Sequence, residues 1–182
     1  MQVAAPQLAG HLHKGLKSLY TLYGDEPLLI QEAADAIRAA ARAQGYTERT
    51  VHTVAGAHYD WSEVLASGGS MSLFADRQII EIRIPGGKPG KDGSEALQRY
   101  CQDLSPDVLT LVQLPRLDRQ QQQSAWFVAL DSVGQTIRVE PVDRLGLPQW
   151  IAQRLKAQGQ QVAAGQEGQH TLAFFADRVE GN

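Results

Sequence analysis

Apolar positions along the chain alternate between short continuous runs and stripes at helical spacing. Short runs rich in β-branched and aromatic residues predict strands, and stripes at every third or fourth position predict helices. The predicted strands cover residues 19–23, 49–54, 79–84, 108–114 and 136–139. The predicted helices among them cover residues 7–17, 27–43, 61–66, 94–103 and 119–130. This alternation indicates an α/β fold, a five-stranded parallel sheet flanked by helices.

The pattern changes after residue 141, where two predicted helices follow each other without a strand. They cover residues 147–158 and 166–179, and an apolar helical face reaches almost to the last residue. Two helices seldom bury a core alone. We therefore expect an α/β domain over residues 1–141 and the start of a small helical domain, truncated, over residues 142–182.

Single residues mark where several of these elements begin and end. Pro27 suits the first turn of a helix, and Gly45 suits its end. Asp60, Ser94 and Asp118 are predicted to cap the three helices that follow them, because short polar side chains accept hydrogen bonds from free backbone N–H groups.

Composition narrows the class of protein. The chain is 43% hydrophobic and 20% charged, which is typical of a globular protein. A net charge of -3 does not suggest direct, tight binding to duplex DNA. The single cysteine, Cys101, excludes an internal disulfide and fits a reducing cytoplasm. No apolar run approaches a membrane span, so we expect a soluble cytoplasmic protein with no membrane partner.

The turn at residues 24–27 lies where a phosphate-binding loop would follow the first long strand. Such a loop needs a lysine for the phosphates and a hydroxyl for magnesium. This turn contains neither, and Pro27 has no N–H to donate. Asp25 and Glu26 would also repel a triphosphate. We predict no nucleotide hydrolysis and no cofactor.

The other reactive side chains show no catalytic or metal-binding pattern. The histidines lack metal-ligand spacing and are expected to be solvated or satisfied in the core. They are His11, His13, His52, His58 and His170. Ser70 and Ser72 are not part of a nucleophile motif, and Cys101 has no neighbouring histidine. We predict neither a catalytic residue nor a metal site.

Residues 68–78 combine small, flexible residues with a compact apolar cluster, Met71, Leu73 and Phe74. A connection of this composition belongs at the surface, where clustered apolar side chains usually mark a contact with a partner. The alternative is that Leu73 and Phe74 pack into their own core.

Seven segments in order along the chain resemble the delta subunit of the bacterial DNA polymerase III clamp loader. They are residues 22–32, 43–46, 60–61, 71–78, 125–130, 147–151 and 180–182. The resemblance spans nearly the whole chain. It implies a RecA/AAA+-like core without a working P-loop, then part of a small helical domain, with a C-terminal collar domain lacking.

The resemblance also implies a site and partners. Met71, Ser72, Leu73 and Phe74 would enter an apolar pocket on the sliding clamp (the beta subunit), with Leu73 and Phe74 as the plug. Gly69 departs from the family pattern, because many clamp-binding motifs have glutamine there. The implied function is to open the ring for loading onto primed DNA during replication, without catalysis by this subunit.

Further implied partners are the delta prime and tau/gamma subunits of the loader within the polymerase holoenzyme, with DNA reached mainly through the complex. Two alternatives stay open. One is a P-loop-like nucleotide-binding protein, and the other is a non-catalytic scaffold subunit of an ATPase complex with the apolar cluster buried.

Overall fold

A parallel sheet forms the centre of the first part of the chain in the computed structural model, which describes residues 2–56, 58–69 and 77–179. Within those residues the sheet has six strands. They are β1 (Gln2–Ala4), β2 (Leu19–Gly24), β3 (Glu48–Thr53), β4 (Gln78–Arg83), β5 (Val108–Pro115) and β6 (Gln135–Val139). Their order is β1-β6-β2-β5-β4-β3, and all neighbours are parallel. The predicted parallel α/β class is confirmed.

The predicted strand number is wrong by one, because the hydrophobic pattern does not indicate β1. Three residues are too few to show either alternation or an apolar run. β1 pairs with β6 at the edge of the sheet, where Val3 lies opposite Ile137.

Eight α-helices occur in the part of the chain that the structure describes. They are α1 (Leu8–His13), α2 (Pro27–Ala43), α3 (Ser62–Gly69), α4 (Gly90–Tyr100), α5 (Arg119–Gln122), α6 (Ala125–Val133), α7 (Leu147–Ala157) and α8 (Gln166–Val179). None of these helices is both long and apolar enough to cross a membrane.

The sheet is buried on both faces, as the apolar run in β5 predicts. Leu109 and Leu111 of β5 belong to the core under α1 and α2. Val112 and Leu114 of the same strand belong to the core under α3, α4 and α6. Because side chains alternate along a strand, β5 contributes to both cores at once.

Helix α2 begins and ends at the residues that the sequence indicates. Pro27 occupies its first turn. At its end Gly45 has φ of 91°, a left-handed conformation that favours glycine. The Gly45 N–H donates to Arg42 O and the Tyr46 N–H donates to Ala41 O, which is the Schellman pattern of helix termination. This turn directs Tyr46 back toward the sheet.

Several predicted helix limits are wrong. The first helix, predicted to end at residue 17, ends at His13, and the third, predicted to end at residue 66, extends to Gly69. The fourth helix begins at Gly90, so Ser94 lies inside α4 and does not cap it. The helix predicted over residues 119–130 is two helices, α5 and α6, because Ser124 is extended with ψ of 148°. Asp118 does cap the first of them, since its carboxylate accepts from the Gln121 N–H at 2.7 Å.

The chain divides into two compact units, residues 1–140 and residues 141–182. In the second unit α7 and α8 pack together, and Ala176 of α8 is buried. An ion pair of 2.9 Å joins Arg144 to Asp177 of α8. Phe174 and Phe175 remain about half exposed within this unit.

Candidate functional site

The four predicted site residues, Met71, Ser72, Leu73 and Phe74, lie outside the described residues. The structure does describe the chain on either side of them. On one side α3 ends at Gly69, and on the other side Arg77 leads into β4. These two flanks determine where the chain leaves the described fold and where it returns.

The first flank, α3, is held against α4 near both of its ends. At the start Asp60 accepts from the Ser62 N–H at 2.9 Å, and hydrogen bonds from Ser62 lower the pKa of that carboxyl. The neighbouring Trp61 is buried, and a Cβ on Gly93 of α4 would overlap its indole.

At the other end of α3, a Cβ on Gly68 would overlap the ring of Tyr100 in α4. Tyr100 is itself fixed by a buried hydrogen bond of 2.7 Å to Thr110 of β5. Burial raises the pKa of Tyr100 to about 12, so its hydroxyl stays protonated. The last turn of α3 therefore rests on a rigid aromatic side chain.

A buried histidine on β3 also contacts this last turn. His52 Nε2 lies 3.1 Å from Ser67 Oγ, and His52 Nδ1 lies 3.2 Å from the Tyr59 hydroxyl. The Ser67 carbonyl in turn accepts a hydrogen bond of 3.2 Å from the side chain of Gln78, the first residue of β4. These bonds connect β3, α3 and β4.

The second flank, Arg77, contacts four of the residues that the structure describes. Its guanidinium donates to the Gln44 carbonyl at 2.9 Å and lies 5.5 Å from the centre of the Tyr46 ring. It also lies 3.7 Å from the Asp107 carboxylate. The Thr47 N–H donates to the Arg77 carbonyl. These partners precede β3 and β5, so this flank enters the sheet at the amino ends of its strands.

The carboxyl ends of the strands, at the opposite edge of the sheet, form the usual ligand position of a doubly wound fold. Here β2 ends at Gly24, whose missing Cβ leaves room for the Val139 carbonyl of β6. Asp25 forms an exposed ion pair of 3.2 Å with Arg116, and both side chains line an open cavity of about 600 Å³. Arg138, also at this cavity, pairs with Glu140 at 2.7 Å. The cavity is thus lined by charged side chains of both signs.

The histidines match the expectation of solvated or satisfied side chains. His52 is buried and hydrogen-bonded, and His11 lies 3.4 Å from the Tyr20 hydroxyl. His13, His58 and His170 are exposed. Among the described residues, no three His, Cys, Asp or Glu side chains are grouped so that they could hold a metal ion.

The sequence prediction missed two polar centres in the structure. One is the bonding of His52 described above. The other is Glu81, a fully buried carboxylate on β4 that contacts three arginines. The available signal for Glu81 was a charged residue inside an apolar strand, which requires a buried partner.

Comparison with known proteins identifies the family. Residues 20–140 match the family model described as DNA polymerase III, delta subunit. The DNA polymerase III subunit delta of Escherichia coli (strain K12) is 34% identical over 150 residues, which cover 82% of this chain and 43% of that protein. The subunit delta of Haemophilus influenzae is 32% identical over 165 residues, which cover 84% of this chain and 45% of that protein. The chain thus spans less than half the length of these relatives.

A solved structure shows the same fold. The DNA clamp loader delta protein of Bacillus subtilis superimposes with a TM-score of 0.68 at 15% identity, over 96% of this chain and 56% of that one. The predicted fold class, a parallel sheet flanked by helices, is confirmed by this likeness. From the family match over residues 20–140 and the two relatives above 30% identity, the chain belongs to the family of DNA polymerase III delta subunits.

Proposed function

We propose that this chain is the part of a clamp-loader delta subunit that binds the sliding clamp, and that it helps to open the clamp for loading onto primed DNA. The observation that carries the proposal is the family match over residues 20–140, which includes residues 71–74. The flanks support it, because α3 is hydrogen-bonded to β3 and Arg77 is hydrogen-bonded to the connection between α2 and β3.

The chemistry of the four residues fits a small apolar pocket on a partner. Removing a leucine or phenylalanine side chain from water contributes about 1.5 to 3 kcal/mol each, before the costs of association. Two such side chains can carry most of the energy of a small interface. Leu73 and Phe74 are the proposed plug, with Met71 and Ser72 beside them.

Opening a closed ring requires more than binding to it. A protein that binds the open and the closed clamp equally well shifts no population between them. The plug is therefore proposed to anchor the subunit, while the adjoining α3 contacts the clamp surface in a way that favours the open ring.

The anchor is tested by changing both plug residues, Leu73→Ala and Phe74→Ala, in one variant. The matched control carries Leu28→Ala and Val128→Ala, which remove exposed apolar side chains from α2 and α6. Binding to the purified cognate clamp is measured by titration for the parent chain and both variants. The plug variant should lose about 100-fold in affinity, and the control should bind like the parent. Equal affinity of both variants would refute the anchor.

The proposed partners follow from the same function. Besides the clamp, they are the delta prime and tau/gamma subunits of the loader, with DNA contacted mainly through the assembled complex and no membrane. The place of action is the cytoplasm, where the DNA is replicated.

We further propose that the chain has no catalytic activity of its own. The β2–α2 turn lacks a lysine and a hydroxyl, and its Asp25 is held by Arg116 at 3.2 Å. A titration with Mg-ATP, followed by thermal unfolding, should leave the midpoint unchanged. A midpoint that rises with ATP concentration would indicate a nucleotide site after all.

A further inference from the structure

The buried imidazole of His52 has no role in the function proposed above, although both of its ring nitrogens make hydrogen bonds. Its strand, β3, is the edge strand of the sheet, yet the side chain is only 7% exposed. The imidazole lies between Tyr59, before α3, and Ser67, in the last turn of α3. It therefore connects the sheet to the segment before this helix and to the last turn of the helix.

The direction of each hydrogen bond follows from the single proton of the Ser67 hydroxyl. That proton is donated to the Glu63 carbonyl at 2.7 Å, so Ser67 Oγ can only accept from the histidine. His52 Nε2 then carries the ring proton, and Nδ1 accepts from the Tyr59 hydroxyl. Burial raises the pKa of Tyr59, which keeps this hydroxyl protonated and able to donate.

The position of Ser67 makes this chain of bonds relevant to the predicted site. Ser67 lies two residues before the end of α3, and its carbonyl accepts from the Gln78 side chain at the start of β4. It is thus bonded to residues on both sides of the segment 70–76. The adjacent Gly68 lies against Tyr100 and leaves α3 no room to move closer to α4.

We infer that His52 is a positioning residue for clamp binding, and that its Nε2–H bond to Ser67 fixes the flanks from which residues 71–74 are presented. The inference rests on the proposed function. Fixed attachment points lower the entropy lost when a segment binds a partner, so the His52–Ser67 bond increases affinity without itself contacting the clamp. The Tyr59 bond orients the imidazole and has no direct connection to the segment.

Two conservative substitutions test the hydrogen bonds of the two ring nitrogens of His52 separately. In His52→Gln the amide nitrogen reaches the place of Nε2 and can still donate to Ser67. In His52→Asn the amide oxygen replaces Nδ1 and can still accept from Tyr59, but the side chain is too short for Ser67. Both variants lose one buried hydrogen bond, so their losses of stability should be similar.

Clamp affinity should distinguish the two variants, although stability does not. We expect His52→Asn to bind the purified clamp about fivefold to tenfold more weakly than the parent chain, and His52→Gln to bind within about twofold of it. Unfolding by urea, measured on the same preparations, reports stability. If both variants bind like the parent, or if affinity falls in proportion to stability in both, His52 is merely structural and the inference is wrong.

A second variant keeps the test decisive if the histidine variants fold poorly. Ser67→Ala removes only a hydroxyl from the half-buried last turn of α3. It should weaken clamp binding as much as His52→Asn does. A double variant with both changes should bind the clamp no more weakly than either single variant, because both remove the same hydrogen bond. Unchanged affinity of Ser67→Ala would overturn the inference.

These outcomes are distinct from failure of the proposed function. If the variant Leu73→Ala, Phe74→Ala binds the clamp like the parent, the plug itself is wrong and the positioning role falls with it. If that variant loses affinity while Ser67→Ala and His52→Asn do not, the plug stands and only the role of His52 is refuted.

Discussion

Arg38 of α2 and Glu81 of β4 form a buried ion pair of 2.8 Å, and their side chains are 5% and 0% exposed. Glu81 also accepts two hydrogen bonds from Arg49, at 2.7 and 2.9 Å, and one from Arg83 at 3.0 Å. One carboxylate on β4 thus joins the helix on one face of the sheet to the neighbouring edge strand, β3.

We predict that Glu81→Gln destabilises the first unit strongly. Breaking a buried ion pair costs about 3 to 5 kcal/mol. The Arg38 guanidinium would keep only its pair with the exposed Asp35 carboxylate, which offsets part of that cost. Glu140→Gln is the matched control, because Glu140 is 63% exposed in its pair with Arg138 and should cost less than about 1 kcal/mol. Urea unfolding of both variants measures the difference. Similar, small losses would show that the arginines are well solvated without Glu81.

The same carboxylate predicts an acid-dependent loss of stability. Burial alone would raise the pKa of Glu81, but hydrogen bonds from Arg49, Arg38 and Arg83 lower it from 4.5 to about 2. The folded pKa lies below the unfolded one, so the unfolded chain takes up the proton first on acidification. The stabilisation is complete above about pH 5 and is lost as the pH falls toward 2.

The expected size of this pH effect is about 3 kcal/mol, from the shift in pKa of Glu81. It is measured as the free energy of unfolding of the parent chain at several pH values in that window. The Glu81→Gln variant cannot take up this proton, and its stability should fall less steeply. Parallel pH profiles of the two proteins would contradict the prediction.

A glycine at the end of β2 predicts a second large effect on stability. In Gly24→Ala the new Cβ would overlap the Val139 backbone carbonyl on β6, and a backbone atom cannot move aside without shifting the strand. Such overpacking costs about 1 to 3 kcal/mol. Gly10→Ala is the control, because no atom lies within 4 Å of its Cβ position in α1. That change should stabilise by about 0.5 to 1 kcal/mol.

Thermal unfolding of the two alanine variants checks these opposite effects on stability. A lower midpoint for Gly24→Ala together with an equal or higher midpoint for Gly10→Ala is the expected result. If Gly24→Ala unfolds at the temperature of the parent chain, β2 and β6 must separate easily at this point, and the glycine is not required by packing.

Helices and strands whose limits are set by residues adjacent in the sequence could be predicted from the sequence. Helix α2 is an example, because Pro27 and Gly45 are local signals for its start and its end. Strand β1 could not be predicted, since its three residues form a strand only by pairing with β6. The division of the predicted helix 119–130 into α5 and α6 could not be predicted either, since it depends on the extended backbone of the single residue Ser124.

The polar centres join residues far apart in the chain, and no local pattern reveals which partners they have. Arg38 and Glu81 are 43 residues apart, and His52 and Ser67 are 15 residues apart. The candidate site itself was predicted from family resemblance, and residues 71–74 lie outside the described residues, so that assignment stays a prediction.

The last prediction concerns the reactivity of Cys101, the single cysteine of the chain. Its side chain is buried after the end of α4, and burial raises its pKa to about 11. At pH 8 about 0.1% of a thiol with this pKa is the reactive thiolate, against about 10% for a thiol with a pKa near 9. Because the thiolate of a less acidic thiol is about tenfold more nucleophilic here, we expect a disulfide reagent to label the folded protein at least about 10-fold more slowly than the same protein in guanidinium chloride. Equal rates would mean that the region around Cys101 opens to solvent faster than the reagent reacts, which conflicts with its place in the core between α4 and the sheet.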